Sequence, residues 1–338
     1  MIRKPVWVMT MMLLLLGALG AVFGVQSVNA GGGIHIKADG SIMPATVPIS
    51  TVDKVTYTFT GTIKQPIIVE RDNIVLDGQG FILRNPADIP AFNMNGISLD
   101  GLSNVTIMNV TIRAFWMGIQ FETSTHNTVS GVTITKSFHG MRVINSSGNE
   151  VRESNISANY HDGIQLYSSN NNSLHRNTVS NKDYAIRVED SFYNHITEND
   201  IKGNKDGIVL IESSHNLIMG NSLIGNEEGF WIFDSFNNAI HQNAFINNTH
   251  QVVSLDSQNS WDNGVEGNYW GDYEERYPDA LEMDEFGIWD TPYFIDEKNQ
   301  DNYPIIPEFS LCLILPLLAV VTLFTVAVYK PALTGRSE

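Results

Sequence analysis

From Gly96 onward the chain repeats one unit of 22 residues, opened by a small residue at Gly96, Gly118, Gly140, Gly163, Ala185, Gly207 and Gly229, with one extra residue before Gly163. A unit this short cannot bury an apolar face alone, so the repeat predicts a solenoid in which stacked neighbours complete one another's core. Just after each opener, apolar residues recur at every second position: Ile119 and Phe121, Met141 and Val143, Ile164 and Leu166, Ile186 and Val188, Ile208 and Leu210, Phe230 and Ile232. Period-two alternation marks a strand. A second strand is marked eleven residues after the opener by Ile107, Val129, Val151, Leu174, Ile196, Ile218 and Ile240, and a third sixteen after it by Ile112, Ile134, Ile156, Val179, Ile201, Leu223 and Phe245. Three strands per turn predict an all-β, single-stranded parallel β-helix. Seven coils at about 4.8 Å each would rise on the order of 34 Å. A leucine-rich repeat has a similar period but needs a leucine consensus and often a helical return, whereas the return half here is rich in Asn and Ser.

Asparagine recurs nine residues after the opener at 127, 149, 172, 194, 216 and 238, and fourteen after it at 177, 199, 221 and 243. These columns read as corners, because Asn tolerates the left-handed conformation and stacked amides can hydrogen-bond along the stack.

The flanks place the chain outside the cytoplasm. Residues 1–30 have the order of a secretory signal: Arg3 and Lys4, an apolar run over 6–23, then Val28-Asn29-Ala30 as a cleavage site. An uncleaved anchor is the alternative. Residues 310–329 are apolar, long enough to span a bilayer and followed by Lys330 and Arg336, which predicts a transmembrane helix. The single cysteine, Cys312, falls in that run, so no disulfide is expected in the exported domain. A net charge of −17 argues against nucleic acid as a partner and favours solubility or cation binding. Sequons stand at Asn104, Asn109, Asn145, Asn155, Asn171 and Asn247.

The repeats, the preceding TYTFTGTIKQPIIVERDNIVLDGQG (56–80) and the closing GNYWGDY (267–273) and DTPYFIDEKNQDNYP (290–304) resemble the right-handed parallel β-helix proteins of the NosD-like, carbohydrate-binding and sugar-hydrolase type. The resemblance implies a right-handed coil. Its family name evokes periplasmic copper handling in nitrous-oxide-reductase maturation, yet the same fold hosts pectin lyases, hydrolases, epimerases and plain surface proteins, so the fold does not fix the function. Pro307-Glu308-Phe309, set just before the apolar run and basic tail, resembles an archaeal sorting signal and implies an archaeosortase-like processing enzyme as a partner. An ordinary transmembrane anchor is the other reading. Both leave the domain membrane-tethered at the cell surface.

Five segments follow: a signal peptide (1–30), an N-terminal cap with the first coils (31–95), the repeats (96–250), an aromatic and acidic C-terminal cap (251–306), and the sorting motif, anchor and tail (307–338). A solenoid must hide its terminal strands, which assigns most cap aromatics to packing. Family members often carry a calcium-loop-like run of Asp and Gly just before the DTPY motif. The corresponding stretch here is Asp284-Glu285-Phe286-Gly287-Ile288-Trp289-Asp290, so the resemblance makes Asp284, Glu285 and Asp290 the candidate calcium ligands.

Outward positions of the first strand are free of the fold's demands. They read Gln120, Arg142, Gln165, Arg187, Glu122, Tyr167 and Glu189, and the preceding corner adds Trp116, Phe138, His139, Tyr160, His161, Asp162, Asp183 and Tyr184. Aromatic faces for stacking, with amides and guanidinia for hydroxyls or uronate carboxylates, describe a strip that binds glycan, here of the cell envelope. Binding without turnover is the leading expectation. The alternative is a carbohydrate-active enzyme, either a hydrolase using Asp162 and Asp183 or a lyase or epimerase using His161 or Arg187 as base. A third reading is a NosD-like copper maturation factor. Copper itself is not expected from the sequence, because the histidines are scattered and only His139 and His161 fall close together.

Overall fold

Each apolar column becomes the inner face of its own parallel sheet. This computed structural model describes residues 32–283 and 287–306; the signal sequence, the sorting motif and anchor, and the candidate ligands Asp284 and Glu285 lie outside them. Among the described residues no helix is long and apolar enough to cross a membrane.

The first sheet has 11 strands and includes Asn95–Asp100, Met117–Glu122, His139–Ile144, Ile164–Tyr167, Tyr184–Glu189, Asp206–Ile211, Glu228–Phe233 and His250–Leu255, all parallel. The second has 11 strands and the third 9. Register matches the column count: Ile119 faces Met141, Val129 faces Val151, and Ile112 faces Ile134. These are fully buried, as are Ile186, Ile208, Phe230, Ile196 and Ile201. Each such side chain stabilises by about 1.5–3 kcal/mol through burial. The result is an all-β parallel β-helix of the right-handed type. The small opener is dictated by close approach: a Cβ on Gly118 would collide with Ile134 Cγ2 and stand 2.6 Å from the Gly140 carbonyl oxygen.

Only one of the two jobs assigned to the asparagines is found. The columned asparagines are buried, and left-handed φ belongs instead to the residue before them: His126 (+56°), Asn171 (+55°), Tyr193 (+57°), His215 (+60°) and Asn237 (+57°). The reason is geometric, since each amide must turn inward to join a ladder. Asn194 Oδ1 accepts the backbone N–H and side-chain amide of Asn172 at 2.9 and 3.1 Å, while its own Nδ2 donates to the Ser169 carbonyl at 3.0 Å and to Asn216 Oδ1 at 3.1 Å. A second such ladder runs through Asn177, Asn199, Asn221 and Asn243, and a third through Asn159, Asn181, Asn204, Asn226 and Asn248. Serine hydroxyls form a fourth through Ser124, Ser146, Ser169, Ser191, Ser213, Ser235 and Ser257.

Both ends of the stack are closed. At the N-terminal end, short antiparallel strands cover the edge, Ile42–Met43 on Ile34–Ile36 and Ile49–Ser50 on Thr56–Phe59. At the other end the hairpin Tyr293–Asp296 with Asn299–Asp301 supplies final rungs: Asn299 Oδ1 accepts Asn259 N–H at 2.9 Å, and Asp301 Oδ2 accepts Asn268 N–H at 2.6 Å. Trp270 stacks between Phe245 (4.5 Å) and Tyr293 (4.0 Å). The closing motifs thus carry the amides and rings that terminate the ladders.

Candidate functional site on the first sheet

Two adjacent coils depart from the repeat at one corner. From the ladder residue to the small opener the chain takes three steps in Ser137 to Gly140, Asn204 to Gly207 and Asn226 to Gly229, but four in Asn159 to Gly163 and Asn181 to Ala185. The single slip counted in the sequence is therefore one extra residue between Asn159 and Gly163; the next coil keeps the four-step corner by taking two steps from Val179 to Asn181 where its neighbour takes three from Ile156 to Asn159. The strand after the first four-step corner is shortened to Ile164–Tyr167. Bulges re-aim side chains. Here Tyr160 is exposed, whereas Asp162, two residues on, is almost wholly buried beside His139 of the preceding coil.

The resulting cluster is compact. His139 Nδ1 lies 2.7 Å from Asp162 Oδ2, His161 Nδ1 lies 3.1 Å from Asp162 Oδ1, and His161 Nε2 lies 3.5 Å from Asp183 Oδ2. The first is a well-formed hydrogen bond. The second is too poorly aligned for one, which leaves His161 Nδ1 and Asp162 Oδ1 buried without a hydrogen-bond partner. The Asp162 side chain is 1% exposed. Burial alone would raise its pKa, but its contacts with His139 and His161 outweigh burial and hold the carboxyl well below the usual carboxylate range. Burial lowers the pKa of His139 against the pull of Asp162, whereas the contact with Asp162 raises that of His161 despite burial. One imidazole thus favours its neutral form and the other its charged form.

Aromatic rings climb the corner on either side of this cluster. Phe92 meets Trp116 edge-on at 4.8 Å, Trp116 stacks on Phe138 at 4.2 Å, Phe138 on His161 at 5.6 Å, and His161 leans on Tyr184 at 5.3 Å. Beside the rings runs a polar column in which Asn95 bonds Gln120, Arg142 Nε donates to Gln165 Oε1 at 2.7 Å, and the Arg187 guanidinium sits 5.5 Å over Tyr184 while donating to Glu189 at 2.8 Å. Gln120 in turn donates to Glu122 at 3.1 Å. Gln165, expected to face outward, is buried beneath these groups. Tyr167 is exposed, and Tyr160 stands apart from the rings with Lys182 over its face at 5.3 Å. Asp290 is remote, in the cap, where Oδ1 accepts the Leu281 N–H at 3.0 Å and the Thr291 hydroxyl at 2.9 Å.

Several residues at this face were not singled out from the sequence. Phe92 lies before the first clean repeat, where the period is broken. Met117 is the register partner of His139 and Asp206 that of Tyr184 and Glu228, a column hidden by the bulge count. Burial, with Glu228 adding to it and Lys205 opposing, pushes the Asp206 carboxyl up to about 6.

A right-handed parallel β-helix with a polar and aromatic face on one sheet is the class that fold and site define. The family described as periplasmic copper-binding protein (NosD) matches residues 72–275, and the chain belongs to it. The family is periplasmic, which puts the domain outside the cytoplasm. Among solved structures, a point mutant of the periplasmic alginate epimerase AlgG is similar at 19% identity and a TM-score of 0.42, covering 63% of this chain and 68% of that one. The enzymatically active domain of bacteriophage CBA120 tailspike protein 2 is similar at 12% identity and a TM-score of 0.46, covering 62% of this chain and 36% of that one. The A-module of the Azotobacter vinelandii mannuronan C-5 epimerase AlgE6 matches at 12% identity, with a TM-score of 0.32 and coverage of 63% and 69%. These are likenesses of fold. No curated protein sequence matches the chain significantly.

The family's name raises the question of a metal. Among the described residues, His139, His161 and Asp162 form the one group of three His, Cys, Asp or Glu side chains whose ligand atoms lie within 4.8 Å of one another. Two imidazoles and a carboxylate suit Cu(II) or Zn(II), and the buried unpartnered Asp162 Oδ1 and His161 Nδ1 are atoms a cation would satisfy. The residues present fit such an ion.

Proposed function

We propose that this chain is a membrane-tethered cell-surface member of the NosD family that binds a carbohydrate polymer along the outer face of its first sheet. The observation that carries this reading is the unbroken ladder of rings from Phe92 through Trp116, Phe138 and His161 to Tyr184, flanked by the Arg142–Gln165 and Arg187–Glu189 pairs. Because Trp116, Phe138 and His161 stack on one another, the column presents a row of ring edges at about the 4.8 Å strand spacing as an apolar contact, and guanidinia offer paired donors to hydroxyls or carboxylates. The two arginines favour a polymer containing uronate. The tether rests on the apolar stretch over 310–329 and the preceding Pro307-Glu308-Phe309, with an archaeosortase-like enzyme as its processing partner.

Titration against neutral and uronate-containing polysaccharides tests the reading. Trp116→Ala and Arg187→Ala should each weaken binding about tenfold, and absence of binding to every polymer removes the proposal.

The His161–Asp183 contact favours a second reading, turnover of the bound polymer. A buried carboxylate beside one nitrogen of an imidazole, with a second carboxylate beside the other, is an arrangement that can move a proton. Product analysis decides it: release of unsaturated, epimerised or hydrolysed sugars by the wild type and not by Asp183→Ala supports catalysis, and intact polymer after long incubation leaves binding alone.

A further inference from the structure

We infer that Asn145, Asn155, Asn171 and Asn247 are acceptors of N-linked oligosaccharide, attached outside the cytoplasm at positions off the ring column. The inference rests on the extracytoplasmic placement of the domain and on these side chains, and not on the polymer-binding reading of the first sheet.

The repeat sorts its asparagines into two populations. Two residues after a laddered asparagine comes a core position, as in Asn127 and Val129, Asn149 and Val151, Asn177 and Val179, or Asn199 and Ile201, and in the third ladder an acid or histidine, as in Asn181 and Asp183. A laddered amide therefore never has a hydroxyl two places on, and the sequons fall on outward asparagines alone. Asn104, Asn109, Asn145, Asn155, Asn171 and Asn247 are all exposed. All but Asn155 take the left-handed backbone of a corner, with φ from +48° to +56°, and Asn155 opens the strand Asn155–Ser157 with its side chain to solvent. The hydroxyl residues that complete them, Thr106, Thr111, Ser147, Ser157, Ser173 and Thr249, are likewise not buried, whereas the neighbouring Ser146, Ser154 and Ser169 are buried and donate to carbonyls.

Hydrogen bonding separates four acceptors from the other two. Among the described residues the amides of Asn145, Asn155, Asn171 and Asn247 make no side-chain hydrogen bond, whereas Asn104 Nδ2 donates to Asn73 Oδ1 at 2.8 Å and Asn109 Nδ2 to Asp77 Oδ1 at 3.1 Å. The transfer needs an accessible amide nitrogen, which forms a bond to the anomeric carbon of a sugar carried on a lipid phosphate. The C–O bond to phosphate breaks, the lipid phosphate leaves with the bonding pair, and one amide proton passes to a base of the transferring enzyme, which reads the hydroxyl two residues on.

The four positions spare the rings. Asn145 follows the strand His139–Ile144 at the end away from His139, and Asn171 lies just before the second-sheet strand Ser173–His175. Asn247 shares the corner of the ring column but stands three coils past Tyr184, counted through Asp206, Glu228 and His250, or about 14 Å at the strand spacing.

The test uses the full chain purified from the cells that make it, its peptides mapped by mass spectrometry with electron-transfer fragmentation, which leaves sugar on its residue. The expected result is a sugar mass on each of the four asparagines, at higher occupancy than on Asn104 or Asn109. Ser147→Ala, Ser157→Ala, Ser173→Ala and Thr249→Ala should each abolish the added mass at the asparagine two residues before and leave the other three modified. Ser147→Thr, Ser157→Thr, Ser173→Thr and Thr249→Ser should retain it, which separates recognition of the hydroxyl from a change in fold, itself checked by circular dichroism. Unmodified mass at all four asparagines, an added mass that survives loss of the hydroxyl, or sugar confined to Asn104 and Asn109 overturns the assignment. Polymer titration is read separately: its failure leaves these acceptors standing, and unmodified asparagines leave polymer binding standing.

Discussion

At the scale of single residues, Asp162 and Asp206 are two buried carboxylates on one strip with opposite fates. Asp162 is held ionised by the histidines around it, and its loss leaves His139 in a buried position without a partner. Asp162→Ala should therefore destabilise the fold by about 3–5 kcal/mol, read as a drop in chemical denaturation midpoint without a change in slope. Asp206 is raised to about 6 from an ordinary 3.8, so its protonated form is favoured in the fold. With the folded pKa above the unfolded one, its contribution to stability is complete below about pH 4 and is lost as pH rises through about 6. Asp206→Asn should accordingly raise the melting temperature at pH 7.5 and leave it nearly unchanged at pH 4. An equal effect at both pH values would show that burial next to Glu228 does not govern this group.

At the scale of the coil, the amide ladders explain why a polar corner can be as costly to disturb as the core. Asn194→Ala orphans the Asn172 backbone N–H, one N–H of its side-chain amide (the other still donates to the Ser146 carbonyl) and the Ser169 carbonyl at once, for a loss of about 3 kcal/mol at roughly 1 kcal/mol or more per unsatisfied group. Ile196→Ala, two residues on and fully buried, should cost about 2–5 kcal/mol by cavity formation. Paired thermal and urea unfolding of the two variants checks that they are comparable. Strand positions were plain in the sequence because burial imposes period two and stacking imposes period 22. The left-handed corner residues were not, because His126, Tyr193 and His215 occupy a conformation that composition associates with Asn and Gly. Nor was the Asp162 pocket, since a bulge changes which way a side chain points without changing the spacing of the apolar columns.

For the whole molecule, the ends matter as much as the repeat. Asp301 closes one ladder from inside the C-terminal cap, where it also accepts the Trp270 indole N–H at 2.9 Å, and burial pushes its carboxyl up to about 6 despite these donors. A Cβ on Gly267 would collide with that carboxylate. Gly267→Val should therefore loosen the cap and expose the last strands, seen as concentration-dependent association by light scattering. Fold class and cap aromatics could be read from pattern alone, while the chemistry of the lateral face could not, because it arises where two irregular coils meet. That face is the centre of the account, and the most direct test of it is the affinity of the wild type and of the Trp116→Ala/Arg187→Ala double variant for a polyuronate such as polygalacturonate or alginate. Binding by the wild type that falls at least tenfold in a folded double variant is the predicted result; no binding, or equal binding by both proteins, would contradict it.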